Sequence, residues 1–270
     1  AGVGLWRGRG APVAIAALVK MSPALYLARW VARREWRPVL VAAGVAVAAL
    51  AVCVPLVGLQ RSQRFFFELL PAMGSGAWNG LDVPLSFRAN HSLAGLLHGL
   101  FPGPDDHQLS STTRVLSGAS TLIGVGGLCW LGRREREPLG EGLIWGGLTG
   151  VLVVTPAYTW EHHFVLLLLP MVAVGAALLR GRLPRWGWLP FGVVWAVWAW
   201  PMSWWRAALD VAPTWGWAIR ESRLLMQVLL IGLCAWGASR APWRGAAPPL
   251  SAGLRTGSRD RAARSGGRGC

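Results

Sequence analysis

The sequence predicts an all-α, polytopic integral membrane protein, a helix bundle with about six or seven transmembrane segments. Only 14% of the 270 residues are charged, whereas 53% are hydrophobic and 18 are Trp. Apolar runs of bilayer length recur along the chain, and a helix crossing a bilayer satisfies its own backbone hydrogen bonds. This combination is typical of a membrane protein rather than a soluble domain, and it predicts a multi-pass transmembrane domain over residues 1–239 in the plasma membrane.

Six apolar segments define the expected spans. The first, residues 38–59, carries no charge and is long enough to cross the hydrocarbon core at about 1.5 Å per residue. The later segments are residues 115–132, 142–156, 164–179, 187–203 and 224–238. The fourth and the last are short, so we expect them to tilt little or to be shielded by neighbouring helices.

Arginines between the spans predict the orientation. They cluster in the short connections that precede residue 38, follow residue 132 and follow residue 179, and such clusters face the cytoplasm. By parity the basic tail, residues 240–270, lies on the same side. It is rich in Gly, Ser and Arg without apolar periodicity, and we expect it to be disordered. The outer side then receives a long loop, residues 60–114, and the turn that contains His162 and His163.

The net charge of +15 does not indicate a nucleic-acid partner. The basic residues lie in cytoplasmic loops and the tail, where topology and anionic membrane lipid account for them. The four cysteines have neither metal nor redox spacing, and Asp105, Asp106 and His107 follow a Pro-Gly-Pro turn. We therefore expect no metal site and no cofactor.

Lys20 is the only lysine of the chain, and it stands inside the apolar segment 11–31, before Pro23. Proline breaks or kinks a helix at this point. Basic residues flank the segment on both sides, which fits either two half-helices that enter and leave from the cytoplasmic side or one tilted span. An intramembrane lysine indicates a functional site, although a lysine that reaches the membrane surface with its long side chain fits equally well.

The most polar motif between two spans is Thr159, Trp160, Glu161, His162 and His163. Two imidazoles at the mouth of a membrane segment cost desolvation free energy, so a chain that keeps them there has a use for them. They are the first candidates for catalysis, and a cationic ring would make activity fall as rising pH removes its proton. The alternative is an interfacial loop that Trp160 anchors in the aromatic belt.

A second polar cluster lies in the outer loop, at Arg88, Asn90 and Ser92. The guanidinium of Arg88 suits a phosphate, and Asn90 and Ser92 offer neutral hydrogen-bond groups. The alternative is that Asn90 or Ser92 caps the helix expected over the following residues.

Together these motifs resemble glycosyltransferase family 87, the GT-C-type membrane enzymes that use polyprenyl-phosphate sugars and include mannosyl- and arabinosyltransferases. The resemblance rests on the order Lys20-x-x-Pro23, Asn90-x-Ser92-Leu93-x-Gly95, and Pro156-x-x-Thr159-Trp160-x-His162-His163 followed by Pro170. It covers roughly residues 12–170, with His91 where the family commonly has Gln and Thr159 where it commonly has Ser.

The resemblance implies an inverting transferase that moves a sugar, mannose above all, from a polyprenyl-phosphate donor to a glycolipid or polysaccharide acceptor at the outer membrane face. His163 and His162 would act on the donor phosphate. Donor and acceptor binding would fall to Lys20, Arg88, Asn90, Ser92 and Trp160. The lipid-linked sugar is a substrate, so no cofactor is implied.

One departure from the family pattern concerns the general base. The family places this aspartate in its first outer loop, and we expect the chain to be the C-terminal part of such an enzyme, without that residue. Two alternatives remain open at this point: a transporter or flippase of lipid-linked intermediates, in which the same groups escort a headgroup, and a catalytically inert remnant.

Overall fold

A computed structural model describes residues 10–20, 22–77, 83–87, 89–201, 204, 207 and 216–240. Over these residues the chain is helical and has no strand, as the all-α prediction requires. The α-helices are α1 Gly10–Val19, α2 Leu27–Ala32, α3 Trp36–Val57, α4 Leu59–Arg64, α5 Leu70–Ser75, α6 Leu93–Leu100, α7 Ser111–Gly132, α8 Pro138–Val154, α9 Leu168–Leu179, α10 Trp188–Ala199 and α11 Gly216–Ser239. Short 3-10 helices cover Ser22–Tyr26, Glu161–Leu167 and Arg185–Gly187, and a π-helical turn, Phe65–Leu69, joins α4 to α5.

Four helices of the described part are long and apolar enough to cross a membrane, by length and composition. They are Trp36–Val57, Ser111–Gly132, His162–Leu179 and Glu221–Ser239. Helix α8, with 17 residues, is about 26 Å long at 1.5 Å per residue, and α10 has only 12 residues. Each of the six predicted segments thus contains a helix, although the helix ends at Val154 within 142–156 and at Ala199 within 187–203. The count of six or seven spans stays a prediction. Residues 241–270 of the predicted tail lie outside the described residues.

Helix α8 is the centre of the bundle and packs against α7, α9 and α11. Its glycines permit this close approach, because a Cβ at Gly146 would lie 2.8 Å from Pro170 Cα and one at Gly150 would lie 2.5 Å from Ile231 Cγ1. Leu143 and Ile144 are completely buried in the resulting apolar core. By contrast, α3 exposes most of its apolar side chains, such as Leu40 and Leu56, as a helix in contact with lipid would.

The segment that contains Lys20 is broken into three helical pieces. Helix α1 ends at Val19, the 3-10 helix Ser22–Tyr26 follows the break, and α2 returns towards the start of α3. The first residue of α1, Gly10, lies against Pro38 of α3, because a Cβ there would be 1.8 Å from Pro38 O. Both ends of the segment therefore lie beside the start of α3, and this arrangement favours the two-half-helix alternative over one tilted span.

Buried ion pairs join the polar end of this segment to α8. Arg29 is fully buried and its Nη2 donates to Glu141 Oε1 at 2.9 Å, and Arg33 reaches the same carboxylate oxygen. On the neighbouring connection, Arg182 pairs with Glu135 and Glu137. From the sequence, these arginines were explained by topology alone. The structure shows in addition that Arg29, Arg33 and Arg182 hold helices together, because each has a carboxylate partner.

Loss of the Glu141 charge is expected to destabilise the fold. In the variant Glu141→Gln, Arg29 stays buried without a counter-charge, and breaking a buried pair in this way costs about 3–5 kcal/mol. Thermal unfolding of the purified protein in detergent measures the effect. Glu68→Gln is the matched control, because its partner Arg64 is 71% exposed and such a surface pair contributes little. Equal unfolding temperatures for the two variants would contradict the structural role of Glu141.

Candidate active site

Lys20 and His163, which come from two distant motifs, meet in the structure. Lys20 Nζ lies 2.8 Å from His163 Nε2, although 143 positions separate the two residues. Lys20 stands just beyond α1, where its backbone N–H donates to Ala16 O at 2.8 Å. His163 is half-buried in the 3-10 helix Glu161–Leu167. The break in the helical segment thus places the side chain of the only lysine against the histidine pair.

The backbone of Trp160 fixes the protonation of the His163 ring. Its N–H donates to His163 Nδ1 at 3.0 Å, and the backbone N–H of His163 donates to Trp160 O at 2.9 Å. A ring nitrogen that accepts a hydrogen bond carries no proton, so this ring is neutral with its proton on Nε2. This geometry disagrees with the expectation of a cationic imidazole.

Lys20 and His163 therefore face each other as two potential donors. An ammonium group has three donors and no acceptor, and His163 Nε2–H is also a donor. A direct hydrogen bond between them requires the neutral amine of Lys20. The protonated lysine instead requires an acceptor that both N–H groups reach, and a phosphate oxygen is such an acceptor.

A cavity of about 400 Å³ opens beside this pair. Apolar side chains provide most of its wall, and its lining is Ala16, Lys20, Ser22, Pro23, Tyr26, Thr149, Leu152, Val153, Pro156, His163 and Leu166. Thr149 Oγ1 donates to Trp145 O at 2.8 Å and so accepts from the Tyr26 hydroxyl at 2.6 Å. Tyr26 and Thr149 were not predicted from the sequence, because a single hydroxyl in an apolar helix forms no motif.

Asn90 joins the outer loop to the turn that precedes the histidines. Its Nδ2 donates to Leu85 O at 3.1 Å and to Ala157 O at 3.0 Å. Its Oδ1 accepts from the backbone N–H of Ser92 at 3.3 Å and of Thr159 at 3.1 Å. All four bonds go to backbone groups, and the side chain is 4% exposed. These contacts favour a positioning role for Asn90, and its predicted contact with substrate hydroxyls stays a prediction.

Ser92 has two roles in the same junction. Its hydroxyl donates to Ala157 O at 2.9 Å and accepts from the backbone N–H of Gly95 at 2.9 Å. The second bond makes Ser92 the N-cap of α6, which is the capping alternative weighed from the sequence. Ser92 is fully buried, so its direct contact with a substrate also stays a prediction.

The remaining predicted site residues occupy different environments. His162 is exposed, and its ring centroid lies 4.3 Å from that of His163. Trp160 is half-buried and holds His163 through its backbone. Arg88 lies outside the described residues. Among the residues that the structure does describe, no three His, Cys, Asp or Glu side chains form a group that could hold a metal ion.

Comparison with protein families identifies the family of the chain. The model of glycosyltransferase family 87 matches residues 2–156. The chain belongs to glycosyltransferase family 87. The matched part includes Lys20, Asn90 and Ser92 but ends before His162 and His163, whereas the resemblance seen in the sequence extended to about residue 170.

One curated relative has a named activity. The chain is 30% identical over 207 residues to the polyprenol-phosphate-mannose-dependent alpha-(1-2)-phosphatidylinositol pentamannoside mannosyltransferase of Mycolicibacterium smegmatis. The alignment covers 74% of this chain and 47% of that protein, so the chain spans about half the length of the relative. No solved structure shows a significant match.

Replacement of Asn90 is expected to loosen the junction beneath the site. Asn90→Ala leaves four backbone groups without this partner, and each unsatisfied buried group costs about 1–3 kcal/mol. Hydrogen exchange should therefore quicken at the amides of Ser92 and Thr159, as mass spectrometry of the purified protein can measure. Gln63→Ala, which removes an exposed amide from α4, is the control and should leave exchange at both amides unchanged. Unchanged protection in Asn90→Ala would show that other contacts hold the junction.

Proposed function

We propose that this chain is part of a membrane glycosyltransferase that transfers mannose from a polyprenyl-phosphate donor to a glycolipid at the outer face of the plasma membrane. The observation that carries the proposal is the 2.8 Å approach of Lys20 Nζ to His163 Nε2 at the edge of an apolar cavity. Membership of family 87 and the named activity of the mannosyltransferase relative support it.

The two nitrogen donors match the chemistry of the leaving group. Transfer of the sugar breaks its bond to a phosphate oxygen, and negative charge grows on the lipid phosphate. N–H donors that are already in place stabilise such a charge without reorganisation during the reaction. Lys20 supplies a positive charge, and His163 supplies a neutral N–H whose direction Trp160 fixes. The neutral tautomer suffices for this role, because a donor need not be charged.

The cavity beside the pair matches the rest of the donor. A polyprenyl phosphate has a charged head and a long apolar tail. Lys20 and His163 lie on the wall of the cavity, which Ala16, Leu152 and Leu166 continue with apolar surface. The donor phosphate would therefore bind between the two nitrogens while part of the isoprenoid tail lies along the apolar wall and continues into the lipid.

The sugar, the acceptor and the stereochemistry are inferred from the relative and the family. Mannose is the sugar named in the relative's activity, and a phosphatidylinositol mannoside is its acceptor. A single in-line displacement at the anomeric carbon would invert its configuration. The acceptor hydroxyl must pass its proton to a general base, and the resemblance to the family implies an aspartate for this role. Family membership favours this activity over a flippase.

Substitutions of Lys20 and His163, which would both bind the donor phosphate, are expected to have non-additive effects. In the full-length enzyme, His163→Ala should lower the rate of mannose transfer roughly a hundredfold, the effect of losing one preorganised donor. Lys20→Met, which keeps the volume without the charge, should weaken use of the donor. The double variant should lose less than the product of the two effects, because both side chains hold one phosphate.

The assay follows transfer from radiolabelled polyprenyl-phosphate mannose in membranes, with protein level measured in parallel. His162→Ala is the matched comparison, because its exposed ring is not part of the nitrogen pair and its loss should cost less than the loss of His163. Wild-type turnover in both His163→Ala and Lys20→Met would refute the donor site. A multiplicative loss in the double variant would place the two side chains on different groups.

The proposed sidedness is expected to show in cysteine labelling. In a cysteine-free background, Gln108→Cys in the outer loop should react with a membrane-impermeant maleimide in intact cells. Gly103 is unsuitable, because a Cβ there would lie 1.7 Å from Gln108 O. Arg134→Cys, exposed on the Arg-rich connection, is the control and should react only after permeabilisation. Labelling of Arg134→Cys but not of Gln108→Cys in intact cells would show that the orientation is opposite to the proposed one.

A further inference from the structure

Three aromatic side chains lie together next to the histidine turn. The ring centroids of Tyr158 and Trp160 are 6.0 Å apart and their planes differ by 7°. The Phe87 centroid is 5.7 Å from that of Trp160, at an interplanar angle of 57°. Phe87 is 44% exposed, and the other two rings are half-buried. We call Phe87, Tyr158 and Trp160 the aromatic platform.

Hydrogen bonds hold the exposed ring of this platform in place. Phe87 ends a tight turn that its backbone N–H closes on Pro84 O at 3.1 Å. Inside the turn, Leu85 N–H donates to Asp106 O at 2.6 Å, and Ser86 donates to the Asp106 carboxylate with its backbone N–H and with its hydroxyl. Burial alone would raise the pKa of Asp106, but hydrogen bonds from Ser86 and His98 bring it below its ordinary value, so this anchor stays ionised.

Hydrogen bonds also anchor the other two residues of the platform, Tyr158 and Trp160. The Tyr158 hydroxyl donates to Val83 O at 2.9 Å, which ties the ring to the same loop that carries Phe87. Trp160 is held by its reciprocal backbone bonds with His163. A partly exposed set of three rings on an anchored backbone gains little for the fold from the surface it leaves open. Such surfaces occur where a ligand binds, because preorganised groups lose little entropy on binding.

The backbone around the platform favours a sugar over a lipid tail. Phe87, Tyr158 and Trp160 lie on irregular segments between helices, beyond the last residue of α8, Val154. Irregular backbone does not face the hydrocarbon core, because its polar groups would lose their hydrogen bonds to water. Exposed rings on such segments are therefore expected at the wet membrane surface. There an aromatic face attracts the C–H groups of a pyranose ring, and neighbouring hydroxyls remain solvated.

We propose that the aromatic platform binds a mannosyl ring of the glycolipid acceptor. The inference rests on the proposed function and deepens it, because it assigns a site to the acceptor as well as to the donor. Only two residues, Glu161 and His162, separate Trp160 from His163, and a hydrogen bond joins Trp160 N–H to the His163 ring. A sugar on the platform therefore lies next to the group that would hold the donor phosphate, as transfer between the two substrates requires.

Variants of Phe87 test the platform in the full-length enzyme. Phe87→Leu keeps an apolar side chain but removes the ring, and Phe87→Tyr keeps the ring. We expect Phe87→Leu to raise the KM for a phosphatidylinositol mannoside acceptor about tenfold, with the KM for polyprenyl-phosphate mannose unchanged. Phe87→Tyr should behave like the wild type. Phe101→Leu is the matched control, because Phe101 is 42% exposed in the same outer loop but lies outside the platform.

A binding measurement separates this inference from the proposed function. Methyl α-dimannoside, a saccharide without a lipid chain, is titrated into the purified protein and its NMR saturation-transfer signal is measured. If the protein transfers no mannose but binds the dimannoside, and Phe87→Leu abolishes this binding while Phe87→Tyr retains it, the platform is supported and the transferase is refuted. Normal acceptor KM and normal dimannoside binding in Phe87→Leu would overturn the platform and leave the transferase intact. That second result is also what a lipid-anchoring role of Phe87 would give.

Discussion

Polar groups inside an apolar helix bundle must be paired, and this constraint determines how the bundle is held together. Arg29, Arg33 and Arg182 each lie against a glutamate, so the cost of burying a charge is offset by a counter-charge and hydrogen bonds. Lys20 and His163 do not follow this rule, because both are potential donors and neither carries negative charge. A pair that remains incomplete without an acceptor differs in kind from the structural ion pairs. This difference, rather than burial, is the reason for proposing the pair as the place where an anion binds.

The site also depends on neutral hydrogen bonds between loops. Asn90 and Ser92 reach Ala157 and Thr159 across about 65 positions of sequence, so the outer loop and the histidine turn form one unit above α8. Neutral amides suit this task at a membrane surface, because they satisfy backbone groups without introducing a charge that would have to be desolvated. A change in the outer loop would therefore reach His163 through the backbone, without any contact between the loop and the substrate.

Much of the fold follows from local pattern, whereas the site does not. Apolar runs place the helices, and Pro23 predicts the break after α1, because both effects depend on neighbours in sequence. The cap at Ser92 is of the same local kind. The contact of Lys20 with His163 joins residues 143 positions apart, and nothing in either motif specifies the partner. The glutamates that pair with Arg29 and Arg182 were missed for the same reason, and the arginines were explained by topology because that signal is local.

Trp160 links the two halves of the proposed reaction. Its backbone N–H makes the His163 ring neutral and turns Nε2–H towards Lys20, while its side chain lies between Phe87 and Tyr158. The proposed site for the sugar donor thus depends on the main chain of Trp160, and the proposed site for the glycolipid acceptor depends on its ring. A substitution of the Trp160 side chain leaves its backbone hydrogen bond to His163 available. The two roles of Trp160 can therefore be tested separately. Loss of the indole would weaken acceptor binding while His163 keeps its tautomer, whereas a shift of the turn would disturb both at once.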